Sequence, residues 1–259
     1  MGNLDNTIVI LIATLTVVIL VVVIIIIFSI FQNRKVKFQY EQKEAEQRFE
    51  EEIIKSQLET QEQTLQNISW ELHDNIGQLL SVARMQLNIL QPTLDDKQKN
   101  IVNETGEIIS KSLQEIRTMS KLLNPEVVKN IGLLDAIQLE IDRFNRLNFI
   151  NATLKVFGEP IAINQKDEII LFRILQEFLS NSVKHSKTDK LEVTLDFTSD
   201  TLLINARDFG VGFNESEIEK GSGLLNMKSR AKLIYTDFQL KSDKEKGVSL
   251  TLRYPLPKR

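Results

Sequence analysis

The sequence predicts an α+β protein anchored by one N-terminal membrane-spanning helix, on three observations. Residues 8–31 form an uncharged apolar run. Residues 34–123 are patterned for long amphipathic helices. Residues 150–254 mix strand-like alternation with helix-period segments. The chain has 259 residues, 42% hydrophobic and 26% charged, with a formal net charge of -3. That balance gives no electrostatic reason to expect a nucleic-acid partner. With no cysteine, disulfides, thiolate zinc sites and cysteine nucleophiles are excluded, and two histidines, His73 and His185, are too few for a His-rich metal site.

Between Ile8 and Phe31 the only polar side chains are Thr14, Thr16 and Ser29. At a rise of ~1.5 Å per residue this run slightly exceeds a hydrocarbon core of ~30 Å, so it can span with some tilt. A cleaved signal peptide would have a shorter apolar region behind a positively charged start, and none precedes this run. Asp5 lies before it and Arg34, Lys35 and Lys37 after it. The positive-inside rule therefore predicts a single-pass protein of the cytoplasmic membrane with its C-terminal bulk in the cytoplasm. Residues 1–33 form the anchor with a short outer segment, which points to sensing within the membrane or through a neighbouring membrane protein.

From Asn33 to Gln91 there is no proline, and Gly77 is the only glycine. Leu58, Leu65, Leu72 and Leu79 recur every seven residues, and Ile54, Ile68, Val82 and Ile89 fall on a second series three places later. These are the a and d positions of a heptad seam, interrupted by the polar Gln61 and Asn75. Residues 34–66 read as a coiled-coil linker. Gln91-Pro92 ends the helix. A second amphipathic stretch over 96–123 carries Ile101, Thr105, Ile108, Ser112, Ile116, Met119 and Leu123 along one face. A helical hairpin leaves an apolar face open, and two copies close it into a four-helix bundle. Residues 67–124 are thus a dimerisation domain, and the partner is a second copy of the chain.

With Leu72 at an a position, His73 is a b position and points to water. Asp74 follows, Gln78 shares its helix face, and Gly77 removes bulk one turn from the imidazole. An ordinary surface histidine with an incidental glycine fits this segment equally well.

After Asn124-Pro125 the pattern changes. Helices are expected over 133–147, 167–185 and 223–235, and strands over 150–157, 190–197, 201–207, 237–242 and 247–254, giving a mixed sheet with helices on one face. Helix 167–185 bears a polar stripe of Arg173, Glu177, Asn181 and Lys184, extended by His185. Glu177 and Asn181, one turn apart, suit a hard cation such as Mg2+. Lys184 and His185 can meet phosphate oxygens. A solvated helix face is the plain alternative. Asp208 opens Asp208-Phe209-Gly210-Val211-Gly212, where a carboxylate can accept from an exocyclic amine such as that of adenine. Gly221 and Gly223 precede a helix whose free amides can bind phosphate.

As a set these residues resemble a known family. Glu71-Leu72-His73-Asp74-Asn75-Ile76-Gly77-Gln78 is similar to the phosphoacceptor motif of sensor histidine kinases of the nitrate-sensor and desaturase-thermosensor type. Residues 125–259 resemble the GHKL ATPase domain (gyrase, Hsp90, histidine kinase, MutL), an α/β sandwich of the Bergerat type. Its N box matches Glu177, Asn181, Lys184 and His185, and its glycine boxes match Asp208, Gly210 and Gly212, then Gly221 and Gly223. The linker from Asn124-Pro125 to Gly132-Leu133-Leu134 also fits. The resemblance implies that His73 accepts phosphate from ATP, that Asp74 orients or deprotonates its ring, and that Gln78 positions water in a phosphatase reaction on the partner. It implies that Asn181 holds Mg2+, with Glu177 acting through water, that Lys184 and His185 contact phosphates, and that Asp208 reads the adenine amine. The four glycines would shape a short lid, and the partner would be the receiver domain of a response regulator. Gly247-Val248-Ser249 stands where relatives often carry two threonines after the glycine, and no phenylalanine box is evident. A GHKL ATPase without phosphohistidine and a non-enzymatic membrane scaffold are the competing functions. Asn181 and Asp208, both present, argue against the scaffold.

Overall fold

The computed structural model describes residues 2–198, 200–213 and 222–256, excluding the side chains of 2–14, 17, 18, 21 and 222. A single helix, α1, covers Gly2–Trp70. By contacts the chain falls into two units, Met1–Ile54 and Lys55–Arg259. Among the described residues no helix is long and apolar enough to cross a membrane. The expected span over 8–31 includes side chains, those of 8–14, 17, 18 and 21, that lie outside the described set.

In the second unit α1 passes into a π-helical turn at Glu71–Ile76, then α2 at Gly77–Leu90. A 3-10 turn at Gln91–Thr93, with Pro92 supplying a preset φ, leads to the return helix α3 at Asp96–Leu123. Asp95 accepts from the Gln98 amide while the Gln98 side chain accepts from the Asp95 amide, a capping box that fixes where α3 begins.

The π turn changes the expected seam. The line of packed positions runs Leu58, Glu62, Leu65, Ser69, Leu72, then Gly77, Leu80, Ala83 and Leu87, with Gln61 and Gln66 half-buried beside it. Every step is three or four residues except Leu72 to Gly77, which is five. The π turn supplies the extra residue and rotates the helix beyond it. Leu58, Leu65 and Leu72 stay on the packed side as expected, but Leu79 and Ile89, the continuation of the heptads, are 64% and 66% exposed. The seven-residue seam is therefore not one continuous packed stripe within the chain. On α3 the packed positions include Val102, Gly106, Ile109 and Leu113, while Ile101, Ile108 and Met119 stay exposed. Of the positions expected along one face of this helix, Ile101, Thr105, Ile108 and Met119 are left open, while Ser112, Ile116 and Leu123 are half-buried.

Asn124 caps the next helix, α4 (Pro125–Arg146), by accepting from the Glu126 amide, with Pro125 at the first helical position. Gly132, at φ 82°, breaks α4 into two helical runs, a conformation only glycine adopts freely. The rest is strand β1 (Asn151–Phe157), helix α5 (Gln165–His185), strands β2 (Lys190–Asp196) and β3 (Thr201–Asp208), helix α6 (Ser222–Leu233), and strands β4 (Asp237–Asp243) and β5 (Gly247–Pro255). The sheet order is β1-β2-β3-β5-β4, with β1 and β2 parallel and the other pairs antiparallel.

Alternation makes the sheet two-faced. Leu191, Val193 and Leu195 of β2, Leu202, Ile204 and Ala206 of β3, and Leu250 and Leu252 of β5 are buried in one core with α4 and α5. The opposite face carries polar residues such as Asn205, which accepts from the Thr251 hydroxyl at 2.9 Å. On α5, Leu171, Phe172, Ile174, Leu175 and Leu179 are fully buried, each contributing about 1.5–3 kcal/mol from apolar burial. The result is the expected mixed α/β sandwich, and the 124/125 boundary lies inside the second unit.

Candidate functional site

The first part of the site sits in the π turn. His73 is exposed, with 64% of its side chain open to solvent, and its Nδ1 lies 2.8 Å from Asp74 Oδ1. A carboxylate oxygen accepts, so this contact is satisfied when the ring proton is on Nδ1 and the lone pair on Nε2. Asn75 donates to Glu71 at 2.7 Å across the same turn. Gln78 is exposed one turn after Asp74. A Cβ at Gly77 would lie 3.4 Å from the Leu72 carbonyl, an ordinary contact. Packing within the chain therefore does not demand this glycine.

The second part is a cavity of about 550 Å3 walled by α5, α6 and the edges of β3, β4 and β5. Helix α5 supplies Glu177, Phe178, Asn181, Ser182 and His185, spaced so that one side faces the cavity. Asp208, at the end of β3, is 2% exposed. Its Oδ1 accepts from the Gly210 amide at 3.0 Å and the Val248 amide at 3.1 Å, and its Oδ2 accepts from the Ser182 hydroxyl at 3.1 Å. A buried carboxylate this well held is fixed in direction, which suits it to read a hydrogen-bond donor on a ligand. Phe178, Leu224, Met227, Leu240 and Val248 give the cavity an apolar lining for a flat ring.

The glycines let backbone approach backbone. A side chain at Gly210 would overlap the Ser186 carbonyl, and one at Gly223 would overlap the Glu177 carboxylate. Gly212 adopts φ 60° beside the Asp243 carbonyl. Gly221 lies outside the described residues, as does most of the segment expected to form the lid.

Asn181, which lines the cavity, donates to Glu177 Oε1 at 3.1 Å and keeps its amide oxygen as an acceptor. Among the described residues no cluster of three or more acidic or histidine side chains could hold a metal by itself. A cation using one or two protein oxygens plus phosphates fits that donor set, as Mg2+ does.

The structure therefore brings Glu177, Asn181, His185, Asp208, Gly212 and Gly223 around one cavity. Gly210 supports its wall through Ser186, while Lys184 is exposed and does not line it. Sequence reasoning missed Ser182, one turn before Ser186 and bonded to Asp208, and it named Gly247 without giving it a place at the site. A side chain at Gly247 would meet the Asp208 carbonyl. Only its place after a turn hinted at that approach.

One expectation needs correcting. Arg173, expected on the polar stripe with Glu177 and Asn181, is 2% exposed and turned to the stalk instead. Its Nε and Nη2 donate to the Glu62 carboxylate at 3.0–3.1 Å, and Nη1 and Nη2 donate to the Leu122 and Leu123 carbonyls at 2.7 Å each. It satisfies carbonyls that the end of α3 leaves without helical partners.

Comparison with known proteins agrees with both parts. Residues 65–128 match the family described as histidine kinase, and residues 166–258 match the histidine kinase-, DNA gyrase B-, and HSP90-like ATPase family. The ATPase family implies ATP binding. The chain is 27% identical over 82% of its length to the oxygen sensor histidine kinase NreB of Staphylococcus carnosus. It is 32% identical over 74% to the sensor protein VraS of Staphylococcus aureus, and 24% identical over 77% to the signal transduction histidine-protein kinase/phosphatase DegS of Brevibacillus brevis. It spans 62%, 56% and 53% of the lengths of those three relatives. With both segments present in this order and matched across most of its length, the chain belongs to the sensor histidine kinase family.

Proposed function

We propose that the chain is a membrane-anchored, homodimeric kinase. It phosphorylates its own His73 from ATP and passes the phosphoryl group to an aspartate of a response regulator's receiver domain. The contact between His73 Nδ1 and Asp74 Oδ1 on an open helix surface carries this reading. Asp74 holds the Nδ1 proton, so Nε2 is the nucleophile. Attack forms an N–P bond to the γ-phosphorus and breaks its bond to the β-phosphate oxygen, releasing ADP. Mg2+ held by Asn181, with Glu177 acting through water, would neutralise charge on the phosphates. Asp208 would accept from the adenine amine in the apolar cavity, Lys184 and His185 would contact phosphates, and Gly210, Gly212, Gly221 and Gly223 would let the lid fold closely over ATP. Gln78, one turn after Asp74, would orient water for dephosphorylating the regulator.

Two further features support the setting. The exposed apolar side chains of Leu79, Val82, Ile89, Ile101 and Ile108 leave the hairpin incomplete without a second copy. Ile19, Ile25, Phe28 and Phe31 are each more than half exposed, as suits lipid contact in a bacterial cytoplasmic membrane with the C-terminal bulk in the cytoplasm.

The full chain incubated with γ-labelled ATP and Mg2+ is expected to gain an acid-labile, alkali-stable label. His73→Gln removes it entirely while ATP binding stays unchanged. Equal labelling of the His73→Gln chain would leave an ATPase without phosphohistidine.

A further inference from the structure

Phe209 links Asp208 to Gly210, yet it does not itself line the cavity. Along β3, Leu202, Ile204, Ala206 and Asp208 are buried, and alternation sends Arg207 and Phe209 to the opposite face of the sheet. There two cations lie against the Phe209 ring. Lys190 Nζ is 4.6 Å from the ring centroid, and the Arg207 guanidinium carbon is 4.8 Å from it. Glu192 Oε1 lies 3.0 Å from Lys190 Nζ, so the ammonium is held on its other side as well.

The Gly210 amide that donates to Asp208 Oδ1 closes a turn whose middle residue is Phe209. The direction of that amide follows from the φ and ψ of Phe209. Beyond it the backbone is held by other means. The Val211 amide donates to the Ser186 carbonyl at 2.9 Å, and the Val211 carbonyl accepts from the Glu245 amide at 2.8 Å. Gly210 packs against Ser186 with no room for a side chain. Before it, the ladder pairs Leu191 with Asp208 and Glu192 with Arg207, which brings Lys190 beside Phe209. The two cations therefore come from two strands in fixed register, and both reach the one ring in the turn.

A phenyl ring at 37% exposure has little packing to fix it. Each cation–ring contact at such a site is weak, but two on one ring bias its position by roughly five- to thirtyfold. A ring held in place restrains the dihedral angles of its own residue, and through them the amide that steadies Asp208.

We propose that Phe209 is a positioning residue for nucleotide choice. Its ring, gripped by Lys190 and Arg207 outside the cavity, fixes the turn that aims the Asp208 carboxylate, and so sets the preference for adenine over guanine. This rests on the kinase reading of the cavity. Adenine offers an amine where guanine carries a carbonyl, so a carboxylate fixed in direction favours the first and repels the second. A carboxylate free to turn loses the bond to adenine and relieves the clash with guanine, so the two affinities converge.

The test measures dissociation constants for ATP and GTP, each with Mg2+, on the full chain. Phe209→Ala is expected to weaken ATP about fivefold and leave GTP within about twofold, so the preference narrows. Lys190→Gln combined with Arg207→Gln keeps the ring, removes both cations from an exposed face and should narrow it as much. Phe209→Tyr, which keeps a ring, should retain the original preference. Equal weakening of both nucleotides in Phe209→Ala would mean a merely structural role and overturn the proposal, as would an unchanged preference in the variant lacking both cations. Asp208→Asn separates this proposal from the reading beneath it. If Asp208→Asn narrows the preference and the ring and cation variants do not, the clamp fails and Asp208 keeps its role. If Asp208→Asn also leaves it unchanged, the adenine reading of the cavity fails and the clamp falls with it.

Discussion

The α/β sandwich and the helical hairpin are built from similar proportions of apolar residues, yet they finish differently. In the sandwich the apolar face of each strand meets α4 or α5, and a continuous core with fully buried side chains results. In the hairpin, the apolar side chains of Leu79, Ile89, Ile101 and Ile108 stay mostly exposed. One region is specified by contacts the chain makes with itself. The other is specified only when a second copy is added. That division suits a signalling protein, because a region completed from outside can be repacked from outside, while the region that holds the nucleotide keeps its shape.

The sharpest way to break this comparison is to delete the same kind of side chain in each region. Leu175→Ala in α5, at a fully buried site, is expected to cost about 2–5 kcal/mol. Ile89→Ala on the open hairpin face should change the stability of the isolated chain by less than about 0.5 kcal/mol, and should weaken its assembly instead. Denaturant midpoints measured at dilutions that separate monomer from dimer check both. Comparable losses in the monomer would mean that the hairpin face is not open.

A smaller effect distinguishes a glycine kept for structure from one kept for access. Gly77 has φ -62° and ψ -39°, ordinary helical values, and room for a methyl group. Gly77→Ala is therefore expected to stabilise the helix by about 0.5–1 kcal/mol while slowing labelling of His73. Thermal melts and initial labelling rates test the pair of outcomes. A stabilised chain that labels at the normal rate would show that the glycine is incidental.

The smallest expected effect concerns Glu168, near the kink of α4. Burial raises its carboxyl above the ordinary 4.5, opposed by a hydrogen bond from the Leu133 amide. A folded value above the unfolded one means that the folded state binds more protons, so stability falls as pH rises through that window. Glu168→Gln keeps an acceptor for the amide and removes the charge. Its melting temperature should slightly exceed that of the unaltered chain at pH 7, with the difference vanishing below 4.5.

Much of the sandwich was legible because its alternation and helix periods are local. Strand β2 reads apolar at Leu191, Val193 and Leu195, and every one of those is buried. The residues around the cavity were legible because Glu177, Asn181 and Asp208 stand at spacings that also fit a recognisable family. The π turn was not. Leu72 and Leu79 keep their seven-residue spacing straight through it, so the sequence pattern runs on where the packed face turns away. Arg173 was misread for a related reason. Its helix position matches the polar stripe, and only a carboxylate 111 residues away in sequence decides that it is buried. Arg173 lies where the stalk meets the nucleotide-binding domain, a junction set by tertiary contacts rather than by local periodicity.

The most direct test of the account maps the phosphate after incubating the full chain with ATP and Mg2+, using mass spectrometry under conditions that preserve phosphoramidates. The account predicts one modified imidazole, at His73. Asp208→Asn, which alters the buried carboxylate of the cavity, should weaken ATP binding about 10–100-fold and reduce that modification in proportion. Phosphate on any other residue, or on His73 at undiminished level in the Asp208→Asn chain, would contradict it.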